Sequence, residues 1–180
     1  MSGYQDALTR LADETERAAL ALLAGDLDSD RLAGVLAALI ARANARGHYL
    51  SETALAGYLA RMLGVPPRVV AAGLPVAPEA TDLDRLAGAA AVALADPDRA
   101  AVRVARLARA EPLQTAHAAM SRAMDERDEV AGWRREVEPD ACEACQNFAG
   151  DAVLPTSMPM WHHPGCVCTQ QPVLREDTPR

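Results

Sequence analysis

The sequence predicts a mainly α-helical protein with a small, irregular C-terminal module containing short β-strands. Three observations carry this. Apolar residues recur at helical spacing through most of residues 1–127. Alanine supplies 39 of the 180 residues while aromatics make up only 3%, and the part before the cysteines is rich in alanine, leucine and arginine. The four cysteines, Cys142, Cys145, Cys166 and Cys168, all fall within one 27-residue span, and none precedes it. The chain therefore divides into a helical body, 1–127, and a Cys/His-rich module, 128–180.

In the body, Tyr4, Leu8, Leu11, Thr15, Ala18 and Leu22 fall on one face of a first helix. Asp26 to Asp30 interrupts the pattern, and Ser29 or Asp30 can cap the next helix. Leu32, Val35, Leu36, Leu39 and Ile40 form its apolar stripe, which should end near Gly47. Ser51 can cap a third, shorter helix running to Leu63, stopped by Gly64 and Pro66-Pro67. The Pro/Gly-rich stretch 64–80 reads as a loop or hinge. Thr81-Asp-Leu-Asp84 resembles a capping box opening an alanine-rich helix to about Ala95. Asp96-Pro97 then offers a cap with proline at the first helical position. That helix should reach Glu111, with Pro112 kinking the chain or starting a new helix that places Leu113, His117, Met120 and Met124 on one face. Residues 129–137 read as a short strand carrying Trp133.

Composition excludes several classes. All 18 basic residues are arginine, a bias expected of a GC-rich genome, and the net charge is −7. Overall charge thus disfavours nucleic-acid binding, although a local basic stripe remains compatible with it. No apolar run approaches the roughly 20 residues of a membrane span, so no membrane partner is expected. The start, Met1-Ser-Gly-Tyr-Gln-Asp, lacks a basic-then-apolar secretory pattern.

The chemistry lies in Cys142-Glu-Ala-Cys145 and His162-His163-Pro-Gly-Cys166-Val-Cys168. Two ligand-bearing knuckles about 20 residues apart match the arithmetic of a structural zinc site. The favoured set is Cys142, Cys145, Cys166 and Cys168. A Cys3His set with His163 in place of one arm cysteine stays open, and His162 is the weakest candidate. The module has too few apolar side chains to fold alone, and structural zinc contributes on the order of 10 kcal/mol. Clustered cysteines signify metal inside cells and disulfides in secreted proteins, so the missing secretory pattern favours zinc. A redox C-x-x-C fits poorly because no βαβ pattern surrounds it.

From Trp133 onward the module resembles the C-terminal signature of the Mu F-like phage head morphogenesis (minor capsid) proteins: a tryptophan, then C-x-x-C, then H-P-x-C-x-C. Here it reads Trp133, Cys142-Glu-Ala-Cys145 and His163-Pro-Gly-Cys166-Val-Cys168, with Phe148-Ala-Gly150 where relatives carry an apolar residue followed by glycine. Of the R-T-E that relatives often carry upstream, Gln114-Thr115-Ala116 keeps only the threonine. The resemblance covers about 60 residues and is specific over the last 35 of them. It implies a virion component present in several copies in the capsid interior near the portal, and in the host cytoplasm during assembly. Its partners would be the portal protein or the major capsid protein or both, with packaged DNA as a further candidate. The alternatives are a zinc-ribbon adaptor or regulator that contacts nucleic acid, and a small metal-dependent hydrolase.

Other features have a bland reading beside a functional one. Arg99, Arg103, Arg106 and Arg109 share one helical arc that can meet DNA phosphates or an acidic partner, or can be a solvated face partnered by Asp96, Asp98 and Glu111. Trp133, with Arg134 and Arg135, can anchor a contact, but more simply packs the module on the body. Met158, Met160 and Trp161 read as local core over the knuckle. His48 is isolated, and His117, on an apolar stripe, reads as a buried or edge histidine. No H-E-x-x-H, G-x-S-x-G or phosphate-binding glycine loop is present, and the cluster has ligands to spare rather than an open position, so no catalysis is expected.

Overall fold

A computed structural model describes residues 2–66 and 76–175. The body consists of helices α1 (Ser2–Leu23), α2 (Ser29–Leu63), the single turn α3 (Pro78–Thr81), α4 (Leu83–Leu94) and α5 (Pro97–Asp125). The module adds strand β1 (Val130–Glu136), the short helix α6 (Glu143–Asn147) and strand β2 (Thr169–Leu174). Of the expected hinge, residues 67–75 lie outside the described residues. At its start Gly64 closes α2 in the left-handed conformation, φ 70°, which glycine adopts without a Cβ penalty.

Two helix caps sit one residue away from expectation. Asp28, rather than Ser29 or Asp30, accepts the Arg31 amide at 2.9 Å. Asp82, rather than Thr81, accepts the Asp84 and Arg85 amides at 3.0 and 3.1 Å. Asp96 precedes Pro97 as anticipated, but its carboxylate makes no cap hydrogen bond.

The two expected breaks are absent: α2 runs through Gly47 and α5 runs through Pro112. The reason is tertiary. The two longest helices cross at these residues, and a Cβ on Gly47 would lie 2.6 Å from the Pro112 carbonyl oxygen. Glycine is used for close approach rather than for termination. One turn on, the Ser51 hydroxyl lies 2.6 Å from Tyr4 OH, 3.0 Å from the Gly47 carbonyl and 2.8 Å from the Ala116 carbonyl. It has one hydrogen to give to a carbonyl, so it accepts from Tyr4 and ties α1, α2 and α5 together. Gly47→Ala should lower stability by about 1–3 kcal/mol, because the overlap with backbone outweighs the gain in helix propensity. A chemical-denaturation midpoint equal to or above wild type would refute this reading of the crossing.

Apolar side chains form two large clusters on either side of this crossing. One joins Leu32, Leu36 and Ile40 of α2 to Leu86 of α4 and Val104 of α5. The other joins Leu8 of α1, Leu55 and Leu59 of α2 and Leu113, Met120 and Met124 of α5 to Val130, Trp133, Met160 and Val167 of the module. The module thus shares its main apolar contact with the body. Trp133 is 2% exposed and its indole N–H donates to the Met158 carbonyl at 3.0 Å.

β1 and β2 pair antiparallel, with Trp133 opposite Pro172 and a bulge between Val130 and Gly132. On its other edge Trp133 exchanges two 2.8 Å backbone hydrogen bonds with Leu154. Its N–H and C=O therefore point away from β2, and the facing Pro172 sits at a non-hydrogen-bonded pair where its missing N–H costs no ladder bond. A Cβ on Gly132 would collide with the Leu154 carbonyl, so glycine is needed for this edge contact. Among the described residues no helix is long and apolar enough to cross a membrane.

Candidate metal centre

The two cysteine arms reach one place by different local devices. Cys142 stands just before α6 and Cys145 lies within it, so one helical turn brings both sulfurs to the same side. Around the turn, the Gln146 amide N–H donates to the Cys142 carbonyl at 3.0 Å and the Gln146 side chain to the Ala141 carbonyl at 2.6 Å. The other arm turns at His163-Pro164-Gly165-Cys166, where the Cys166 N–H donates to the His163 carbonyl at 3.1 Å and Gly165 has φ 85°. Proline second and glycine at positive φ third are the residues a type II turn requires. This explains the H-P-G-C string physically: the turn presents His163 and Cys166 together and feeds Cys168 into β2.

The potential ligand atoms of Cys142, Cys145 and His163 all lie within 4.8 Å of one another, as do those of Cys145, Cys166 and Cys168. Cys145 belongs to both triads. All five expected ligand residues are therefore brought together, closely enough to hold a metal ion. The Cys145 and Cys166 sulfurs are 3.6 Å apart, and all four cysteines are free. That separation is far beyond a disulfide bond of about 2.05 Å but close to the edge of about 3.8 Å that two thiolates span on a tetrahedral zinc.

The histidine is prepared in the same sense. His163 Nδ1 lies 3.2 Å from the Pro164 carbonyl, which can only accept, so the ring proton belongs on Nδ1. That leaves the lone pair on Nε2, an atom that is buried and has no hydrogen-bond partner. An unpartnered buried acceptor beside thiols is what a ligand looks like before its metal is counted.

The electrostatics point the same way. Burial pushes the Cys145 thiol up to about 11. Cys166 is raised chiefly because its thiol donates to Cys168, and Cys168, accepting that bond, is held down to about 5. So dense a set of thiols carries little negative charge by itself, whereas a dication permits the others to ionise. Nearby Glu138 has its carboxyl pKa raised by burial and by the Cys168 thiolate. The cluster has one buried cationic neighbour: Arg135 is 8% exposed, donates to the Cys145 sulfur at 3.5 Å and also donates to the Trp161 carbonyl. In the sequence Arg135 stands out only as a companion of Trp133. Two-residue alternation along β1, which puts Arg135 on the Trp133 side, was the available signal.

Other expected residues are distributed as follows. His117 is buried against the ring of His162, centroids 4.8 Å apart. Burial first, then His162 and Arg135, hold its pKa down to about 3 from 6.5. Between these values the unfolded chain binds more protons than the folded one. His117 therefore makes stability fall as pH drops from about 6.5 toward about 3, by up to about 1.4 kcal/mol per pH unit, and contributes no pH dependence above that window. His117→Gln should flatten the denaturation midpoint against pH in this range relative to wild type; parallel wild-type and variant curves would exclude the effect. His48 is also buried, 3.4 Å from Glu52.

Of the expected local core, only Met160 is buried. Met158 and Trp161 are about half exposed, and Trp161 meets exposed Phe148 with ring centroids 5.4 Å apart. The arginine arc divides too. Arg99, Arg103 and Arg106 are exposed, with Asp96 3.7 Å from Arg99 and 3.8 Å from Arg103. Arg109 turns to α1 and pairs with Asp13 and Glu16. Glu111 pairs with Arg85 at 2.7 Å rather than with the arc.

Comparison with family models, curated proteins and solved structures gives no match.

Proposed function

We propose that this chain is a non-catalytic structural protein of a phage head, a Mu F-like minor capsid protein, whose C-terminal module is fastened by one zinc ion. The observation that carries the reading is the convergence of Cys142-Glu-Ala-Cys145 with His163-Pro-Gly-Cys166-Val-Cys168 on one centre. Thiolates with an imidazole suit zinc better than a hard cation. Zinc would draw four ligands from Cys142, Cys145, Cys166, Cys168 and His163. The apolar cluster at the centre contains only Ala141, Cys145, Cys166 and Cys168, with Val137 packed against it. So small a core favours a structural metal, which would supply the local stability that side chains do not.

In this role the helical body presents its faces to the portal or the major capsid protein inside the capsid, near the portal. The test combines two measurements on protein purified without chelator. Elemental mass spectrometry should find about one zinc per chain, and the protein should co-sediment with a phage portal protein. Zinc without portal or capsid association, together with steeply salt-dependent duplex binding, would replace the head-protein reading with that of a nucleic-acid adaptor. Metal-free protein with four free thiols would overturn the zinc assignment.

A further inference from the structure

We infer that the face joining the metal module to α4 and α5 is self-complementary and pairs two copies of this chain about a twofold axis. Its first half is acidic and aromatic. From Glu136 to Leu174 the chain has five acidic residues and no arginine or lysine. Asp140, Glu143 and Asp151 are exposed there. On the same segment lies the Phe148–Trp161 pair, with exposures of 61% and 51%. In a chain with one phenylalanine and two tryptophans, exposing two of these three together is a costly use of apolar surface unless something covers it.

The second half is apolar with arginines at its rim. A cavity of about 400 Å³ lies between α4 and α5, walled by Val92, Ala93 and Leu107; Arg103 and Arg106 stand at its rim with Glu111, which is paired with Arg85, while Arg103 lies 3.8 Å from Asp96. Val92 and, further along α5, Val102 are 70% and 72% exposed. The two halves are continuous. Trp161 stands against His163, centroids 6.3 Å apart, and the next residue, Pro164, lines the cavity.

A twofold axis passing through this seam brings the acidic aromatic half of each copy onto the arginine-rimmed apolar half of the other, so both contacts form at once. Aromatic side chains then fill an apolar groove whose rim arginines meet carboxylates. That pairing combines buried anchors with charge complementarity. Charge selects a second copy as the occupant, because this chain carries both halves side by side.

Sedimentation velocity tests the inference. The metal-loaded wild-type chain should be dimeric at about 100 µM and dissociate on dilution. The double substitution Arg103→Glu, Arg106→Glu and the double substitution Glu143→Arg, Asp151→Arg should each raise the dimer Kd by about tenfold or more through like-charge contact. An equimolar mixture of the two variants should dimerise again, since each reversed half then meets its complement. Far-UV circular dichroism and zinc content identify a variant that has merely misfolded, and Phe148→Ser provides an uncharged second probe with the same expected loss. A wild-type chain that stays monomeric, or variants that dimerise separately as well as they do together, would overturn the inference.

Discussion

Cys145→Ser is expected to abolish metal retention and release the segment between the two strands to protease, while far-UV circular dichroism keeps nearly all of its helical signal. Cys145 is fully buried and is the residue shared by both ligand triads. No tetrahedral set is favoured without it. Its loss removes a ligand and leaves Arg135, now without the sulfur, as a buried cation short of a partner. The module then loses a metal contribution on the order of 10 kcal/mol, more than its small local core can replace. Cys142→Ser should be milder, because Cys142 is exposed and lies in one triad only, so the Cys145, Cys166 and Cys168 triad survives its loss. Elemental analysis and timed proteolysis read both effects. A Cys145→Ser protein that retains stoichiometric metal would eliminate the proposed centre.

Trp133→Ala should cost about 3–5 kcal/mol, the range for emptying a large aromatic from a core. The ring sits in the cluster shared by α1, α2, α5 and the module, and its N–H satisfies the Met158 carbonyl. Truncation opens a cavity and leaves that carbonyl without its donor. The loss should appear as a lower urea midpoint with metal bound. Trp133→Phe should recover part of it, since the cavity is partly refilled while the hydrogen bond is not. A change under about 1 kcal/mol for Trp133→Ala would mean that the ring does not couple module and body.

Much of this was legible in the sequence because it follows from local periodicity. The apolar stripes of α1 and α5, that of α2 apart from exposed Val35, the strand carrying Trp133 and the clustering of five ligand residues all follow from spacing. The caps shifted by one residue where several competent acceptors stand in a row, as in Asp26-Leu-Asp28-Ser29-Asp30. Gly47 and Pro112 were misread for a deeper reason. Each is a helix breaker by propensity, but the two oppose each other across the chain, and a pairing between residues 65 positions apart leaves no local trace. The Nδ1-to-Pro164 contact that frees His163 Nε2, and the reach of Arg135 to Cys145, likewise depend on tertiary placement. Trp161 misled because a large apolar residue near a small core is ordinarily part of it.

The two apolar clusters are not two independently melting units. Each of the three long helices crosses from one cluster to the other: α1 through Ala12 and Ala19, α2 through Ile40 and Leu55, α5 through Val104 and Leu113. None of these three helices can leave one cluster without withdrawing side chains from the other. The Gly47–Pro112 crossing therefore acts as a mechanical coupling between two halves, and the body gains all-or-none cooperativity from rods that neither half owns. Slowly exchanging amides should run through the middle of α2 and, apart from Pro112, which has no N–H, through the middle of α5, with one common opening free energy on both sides of the crossing.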